Sequence, residues 1–200
     1  MTSAPKGKSK VLYKASDLKQ PVSVGLSWDP KVRASLLEKL EEMAGGKTTF
    51  TDMDLAAYVY DRNKNFLGLA SAKAEDITLF TPHIYHSGDN MDGKGSGDDE
   101  KIIVEFDELD ESVSTIIFKM NIASGHVFSE IDMPEIRMAY QSSNQVILKN
   151  KLDSQSNKSA FIFAKIFRDI NGDWHVQNIE EFTHANDDKT WSEELKIYLK

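Results

Sequence analysis

Two hundred residues without a cysteine suit one domain and exclude disulfide frameworks, thiolate zinc sites, iron–sulfur clusters and a cysteine nucleophile. The formal charge is −8, from 32 Asp+Glu against 24 Lys+Arg; this argues against nucleic acid or an anionic membrane as the main partner, since both demand clustered Lys/Arg. No run nears the roughly 18 apolar residues of a membrane span, and the absence of cysteine favours a reducing compartment, so a soluble cytoplasmic protein is expected.

In chain order, Met1 to Lys10 carries Lys6, Lys8 and Lys10 with no apolar segment after them, so it is not a secretory signal. Residues 1–20 are expected to be a flexible tail, and 21–200 a single domain. Val22 to Trp28 alternates apolar with small or polar residues, as a half-buried strand does. A helix is predicted next: Asp29 caps it, Pro30 suits its first turn, Val32, Leu36, Leu37, Leu40 and Met43 recur at helical spacing, and Gly45-Gly46 ends it. Strands follow at 55–60 and 66–70 around the turn Asp61 to Asn65, then at 77–80, 102–106, 116–122, 135–141, 145–149, 160–167 and 174–180. Asn171-Gly172 stands where a hairpin turn belongs. Thr190 to Lys200 reads as a short helix capped by Thr190, with Trp191, Leu195 and Leu199 on one face. Strand after strand with short polar turns predicts a mainly-β sandwich or barrel with one helix near each end.

The charge is segregated. Asp89 to Glu111 holds ten acids and two bases, a net −8, while the remainder balances. Within it the loop His86-Ser87-Gly88-Asp89-Asn90-Met91-Asp92-Gly93-Lys94-Gly95-Ser96-Gly97-Asp98-Asp99-Glu100 has four glycines and five carboxylates. Glycines let the backbone fold back and turn carbonyl oxygens inward. Carboxylates at close range repel, by up to roughly 4 kcal/mol per pair at 4 Å in a partly shielded site. Such a loop needs a counter-charge, and nearby arginines are scarce. A hard divalent cation supplies it. Calcium takes six to eight oxygens in flexible geometry, whereas magnesium prefers octahedral sites with retained water. Zinc wants His or Cys, and a lone His86 is not a zinc site. Upstream, Asp52 and Asp54 are two apart before a strand, so both point to one side. Glu105 to Glu111 reads instead as a solvated face on the following strand and turn.

Competing readings of the loop fit less well. Gly88 to Gly95 approaches a phosphate-binding loop, but Gly95 lacks the hydroxyl and a strand follows rather than a helix. An EF-hand register from Asp89 fails because Met91 and Gly93 fall at ligand positions. A metal-assisted hydrolase would use His83, His86 or paired loop carboxylates, and no nucleophile elbow or dinucleotide loop accompanies them. His126, His175 and His184 have no motif partners in sequence. A lectin-like calcium module would call for export, and Tyr58, Tyr60, Tyr85 and Trp174 read as packing rather than a sugar platform.

Ser87-Gly88-Asp89-Asn90, then Gly93, Gly95 and Gly97-Asp98-Asp99-Glu100, resemble the signature of the TerD family of tellurium-resistance and stress proteins. Val24 to Asp29, Asp52 to Tyr58, Ile116 to Phe118 and Asn171 to Trp174 are similar to further family segments. The resemblance spans roughly 22 to 182. It implies a β-sandwich of two largely antiparallel sheets binding two calcium ions between its loops, and a scaffold or sensor rather than an enzyme. Carried over by position, the metal ligands would be Asp52, Asp54, Asp89, Asn90, Asp98, Asp99 and Glu100, with carbonyls near Gly93 and Gly95. Ser96 stands where the family often has an acid and would offer its hydroxyl or carbonyl to the metal, and Asp92, where the family usually has a Thr or other polar residue, would compensate as a further ligand. The implied partners are other tellurium-resistance and stress proteins, including a membrane-bound one.

Overall fold

A computed structural model describes residues 5–29, 43, 51–72, 82–91, 93, 97–152 and 156–199. Among them eleven strands run in order: β1 (Ser9–Tyr13), β2 (Val22–Asp29), β3 (Met53–Tyr60), β4 (Phe66–Ala70), β5 (Ile84–His86), β6 (Glu100–Val104), β7 (Thr115–Ile122), β8 (Asp132–Tyr140), β9 (Val146–Lys151), β10 (Ala160–Arg168) and β11 (Trp174–Thr183). They form a six-stranded sheet, β1-β11-β10-β7-β3-β4, and a five-stranded one, β5-β6-β2-β8-β9. All pairings are antiparallel. The expected β-sandwich is therefore present.

The two inner faces share one core. Val24, Leu26 and Trp28 of β2 meet it together with Leu55 of β3, Phe118 of β7 and Phe163 of β10. Of these, β3, β7 and β10 also bury apolar residues on their other face, because the outer face of the six-stranded sheet is covered. Tyr58, Tyr60, Ile117 and Ile162 form a second cluster beneath Trp191, Leu195 and Leu199. Trp191 comes from α1 (Asp188–Glu194) and Leu195 from the 3-10 turn after it, Leu195–Tyr198, which Leu199 caps. Fully burying one such leucine is worth about 1.5–3 kcal/mol. Lys119 of β7 lies under the helix, 5.1 Å from the Trp191 ring centroid and 4.0 Å from Asp188.

Three local readings change. Residues 9–13, expected within a flexible tail, form edge strand β1 against β11. Leu12 and Tyr13 are buried and Lys10 Nζ donates to Ile147 O at 3.1 Å; five residues are too few for a periodic signal, and the lysines disguised them. The helix cap is Asp187, whose side chain accepts from the Thr190 N–H. Thr190 lies inside the first turn, and its hydroxyl donates back to Asp187 at 2.7 Å. The chain after Val104 turns at once into a 3-10 turn, Phe106–Glu108, with Phe106 buried and Asp107 and Glu108 exposed. The helix predicted over 30–44 lies outside the described residues except at Met43, which is helical. The strand predicted at 77–80 lies outside them entirely. The Asn171-Gly172 turn does join β10 to β11, with Gly172 at φ +85°.

Candidate metal centre

The entry of β3 sets the first carboxylates. Met53 and Leu55 are fully buried in the core, so Asp52 and Asp54 turn together to the other side, both half-buried. Asp89, from the loop after β5, joins them. One oxygen from each of Asp52, Asp54 and Asp89 lies within 4.8 Å of the others.

Glu100, the first residue of β6, lies beside this group, near enough for its charge to act on Asp52, and it is fully buried. Its Oε2 accepts from the Leu55 N–H at 2.7 Å. The same oxygen is 3.2 Å from His86 Nε2. The Gly88 N–H donates to His86 Nδ1 at 3.1 Å. Nδ1 is therefore the acceptor of the ring, and Nε2 carries the proton it donates to Glu100. Glu100 Oε1 receives no hydrogen bond among the described residues, and neither does Asp52 Oδ1; both atoms are buried. A buried carboxylate oxygen with no donor is costly. Two of them side by side among acids make a place that could hold a cation.

The electrostatics agree. Burial, followed by the charges of Asp54, Asp89 and Glu100, pushes Asp52 up to about 7. Burial also raises Glu100, against the pull of His86 and the Leu55 N–H, and Asp54 adds to the rise. Two raised carboxyls, Asp52 and Glu100, beside the further acids Asp54 and Asp89 are an unsatisfied demand for positive charge.

Around this group the loop is tied by its own side chains. Asn90 Oδ1 accepts from the Gly93 N–H at 3.0 Å, and Asn90 Nδ2 donates to Asp99 Oδ1 at 3.0 Å. Asp99 Oδ2 accepts from the Trp28 N–H at 3.0 Å. Trp28 Nε1 in turn donates to Thr51 O at 2.9 Å, linking the loop to the residue before Asp52. Gly93 has φ +62°, and a Cβ there would sit 2.5 Å from Trp28 Nε1. Position 93 must be glycine for the loop to close over the tryptophan. Asn90 and Asp99 thus hold the loop's shape, alongside any metal role.

Asp98 is placed differently from the ligand set it was expected to join. Arg137 Nε donates to its Oδ1 at 2.7 Å and Arg137 Nη2 to its Oδ2 at 3.0 Å. Lys101 Nζ is 3.3 Å away. The carboxylate lies over Gly25, where a Cβ would come within 2.2 Å of Asp98 Cγ. Arginine does therefore neutralise one loop acid, through β8 rather than through a sequence neighbour. Asp92, Gly95 and Ser96 lie outside the described residues.

Sequence reasoning missed Arg137 and the His86–Glu100 bond. Both arise from sheet pairing. Gly25 faces Lys101 on one side and Arg137 on the other, and His86 faces Ile102.

The TerD domain model matches residues 1–186. The chain belongs to the TerD family of tellurium-resistance and stress-response proteins. Like its relatives, this TerD chain is matched over nearly its full length. It is 28% identical over 174 residues to tellurium resistance protein TerZ of Serratia marcescens, covering 87% of this chain and 86% of that one. It is 26% identical over 192 residues to stress response protein SCP2 of Bacillus subtilis, covering 91% and 92%. A crystal structure of a Streptomyces coelicolor homologue of a telluride resistance protein superposes with a TM-score of 0.69 at 18% identity, over 88% of this chain and 97% of that one. The likeness carries the sandwich fold. Among the described residues no helix is long and apolar enough to cross a membrane.

Proposed function

We propose that this TerD-family chain is a calcium-binding sandwich of the tellurium-resistance or general stress response, acting as a cytoplasmic scaffold or sensor rather than as an enzyme. One observation carries the reading: Asp52 Oδ1, in the group with Asp54 and Asp89, and Oε1 of the neighbouring Glu100 are both buried without donors among the described residues. These four residues would hold the ion. All the donors are oxygens, which favours a hard cation, and carboxylates from three separate segments suit the flexible, high coordination of calcium over the strict octahedron of magnesium. A bound cation would supply positive charge and fix the loop 87–97 to the ends of β3 and β6. That ordered end of the sandwich would then dock other tellurium-resistance or stress proteins.

Calorimetric titration of the chelator-treated chain tests this. Saturable calcium binding, weaker magnesium binding, and loss of both in Asp52→Asn are expected. Identical heats with calcium and with buffer would overturn the reading.

A further inference from the structure

At the opposite end of β3 and β7 from the acidic group lies a cavity of about 320 Å³. Its lining includes Arg62, Lys64 and Arg168, two hydroxyl residues, Ser114 and Thr115, and the carboxylates Asp61 and Asp169. What matters is which of these groups already has a partner.

The acceptors do. Asp61 takes the Asn65 N–H on Oδ1 and Asn65 Nδ2 on Oδ2, both at 2.8 Å. Asp169 Oδ1 accepts the N–H groups of Asn171 and Asp173, and its Oδ2 is 3.0 Å from His175 Nε2. The donors do not. Arg168 Nε is buried with no acceptor among the described residues. Its guanidinium carbon lies over the Trp174 ring, 4.7 Å from the centroid. Asp110 and Glu111 act on it only at longer range, and Asp110 is bonded to the Ser112 N–H. Ser114 and Thr115 are buried at 7% and 8% exposure. No hydrogen bond from either hydroxyl is found among the described residues. Burial and then the charge of Arg62 push the Arg168 guanidinium below its usual range, as expected of two cations lacking an anion between them.

The cavity therefore presents open donors against closed acceptors, and calls for an anion. Three cations against two carboxylates suit a single negative charge. A guanidinium fork matches a carboxylate in plane and spacing. Phe167, Ile170 and Leu199 add apolar surface to the lining, and Ile170 is 91% exposed.

We propose that this cavity binds a small organic carboxylate with an apolar body, Arg168 and Arg62 holding the anion and the apolar surface of Phe167, Ile170 and Leu199 receiving the body. The site is separate from the metal centre, and chelator keeps its test independent of that centre.

The test is amide-resolved NMR titration of the full chain in chelator at constant ionic strength. The probes are benzoate, its neutral counterpart benzamide, and inorganic phosphate. Benzoate is expected to shift the amides of Ser114, Thr115 and Arg168 saturably, with benzamide and phosphate much weaker. Losing one charge-assisted contact corresponds to about tenfold in affinity, so Arg168→Gln should weaken benzoate by about that factor. Arg62→Gln, at an exposed position that does not threaten the fold, should weaken it several-fold. Benzamide binding as well as benzoate, phosphate outcompeting benzoate, or unchanged affinity in Arg62→Gln would each overturn the assignment.

Discussion

Among the described residues two clusters hold three potential metal ligands within 4.8 Å: Asp52, Asp54 and Asp89 at one end, and Asp169, Asp173 and His175 at the β10–β11 turn. Counting ligands does not separate them. Their hydrogen bonds do. In the second cluster Asp173 accepts from the Ala15 N–H at 2.9 Å and from Lys14 Nζ at 2.7 Å, while Asp169 is filled by the turn amides and His175. In the first, Asp52 Oδ1 and the neighbouring Glu100 Oε1 have no donor among the described residues. The protonation preferences diverge accordingly. Asp52 is raised to about 7, first by burial and then by its acidic neighbours. Asp173 is lowered, first by its bond to Lys14 and then by the Ala15 N–H. A cluster whose charge the fold has answered builds a turn, and one whose charge it has not answered is the candidate site.

The sharpest break in this comparison is metal addition. A ligand that binds only the folded chain, at about a thousandfold above its Kd, stabilises by roughly 4 kcal/mol. For a domain of this size that corresponds to about 8–16 °C in Tm. Differential scanning calorimetry in calcium against chelator should show such a rise, with less in magnesium. Asp52→Asn should remove most of it while raising the Tm in chelator, because it deletes a charge the apo chain resists. The matching change in the other cluster, Asp173→Asn, should leave the calcium increment intact. Equal loss of the increment in both variants would erase the distinction.

Much of the first cluster was legible in sequence. Period-two spacing put Asp52 and Asp54 on one side, and the Gly/Asp run from Gly88 to Glu100 marked the loop. The sandwich was legible too, since β2, β3, β7, β10 and β11 carry clear alternation or long apolar runs. What the sequence hid depends on pairing partners far along the chain. Asp98 and Glu100 are two residues apart on the same strand entry, yet one meets Arg137 across the sheet and the other meets His86. Nothing local distinguishes them. The edge strand at Ser9–Tyr13 was hidden for a related reason: its partner β11 is more than 160 residues away.

Asp98 supplies the next largest effect. Its carboxylate is 5% exposed and bidentate to Arg137. Breaking a largely buried pair of this kind costs about 3 kcal/mol, so Asp98→Ala should lower the Tm by roughly 6–12 °C. The calcium increment should survive. Arg137→Ala should cost less, because that side chain is more exposed, and the double variant should cost less than the two combined. Loss of calcium binding in Asp98→Ala at temperatures where it stays folded would instead place Asp98 with the first cluster.

The pH profile separates the clusters by sign. Unfolded aspartates titrate near 4. Asp52 keeps its proton in the folded apo chain up to about 7, so between about 4 and 7 the folded state binds more protons than the unfolded one. Stability in chelator should fall as pH rises across that window and level off above it. Asp169 and Asp173 run the other way. Burial opposes the lowering at Asp169, but the bonds from His175 and the turn amides outweigh it; the contacts of Asp173 lower it outright. Their contribution is present above about pH 4 and is lost as pH falls through their lower folded values. Urea melts across pH in chelator should therefore show an upper limb that Asp52→Asn flattens and an acid limb that Asp173→Asn flattens. Calcium should also flatten the upper limb, because the ion and the Asp52 proton compete for the same oxygens. An upper limb untouched by both Asp52→Asn and calcium would mean that the open carboxylates of the first cluster do not govern it.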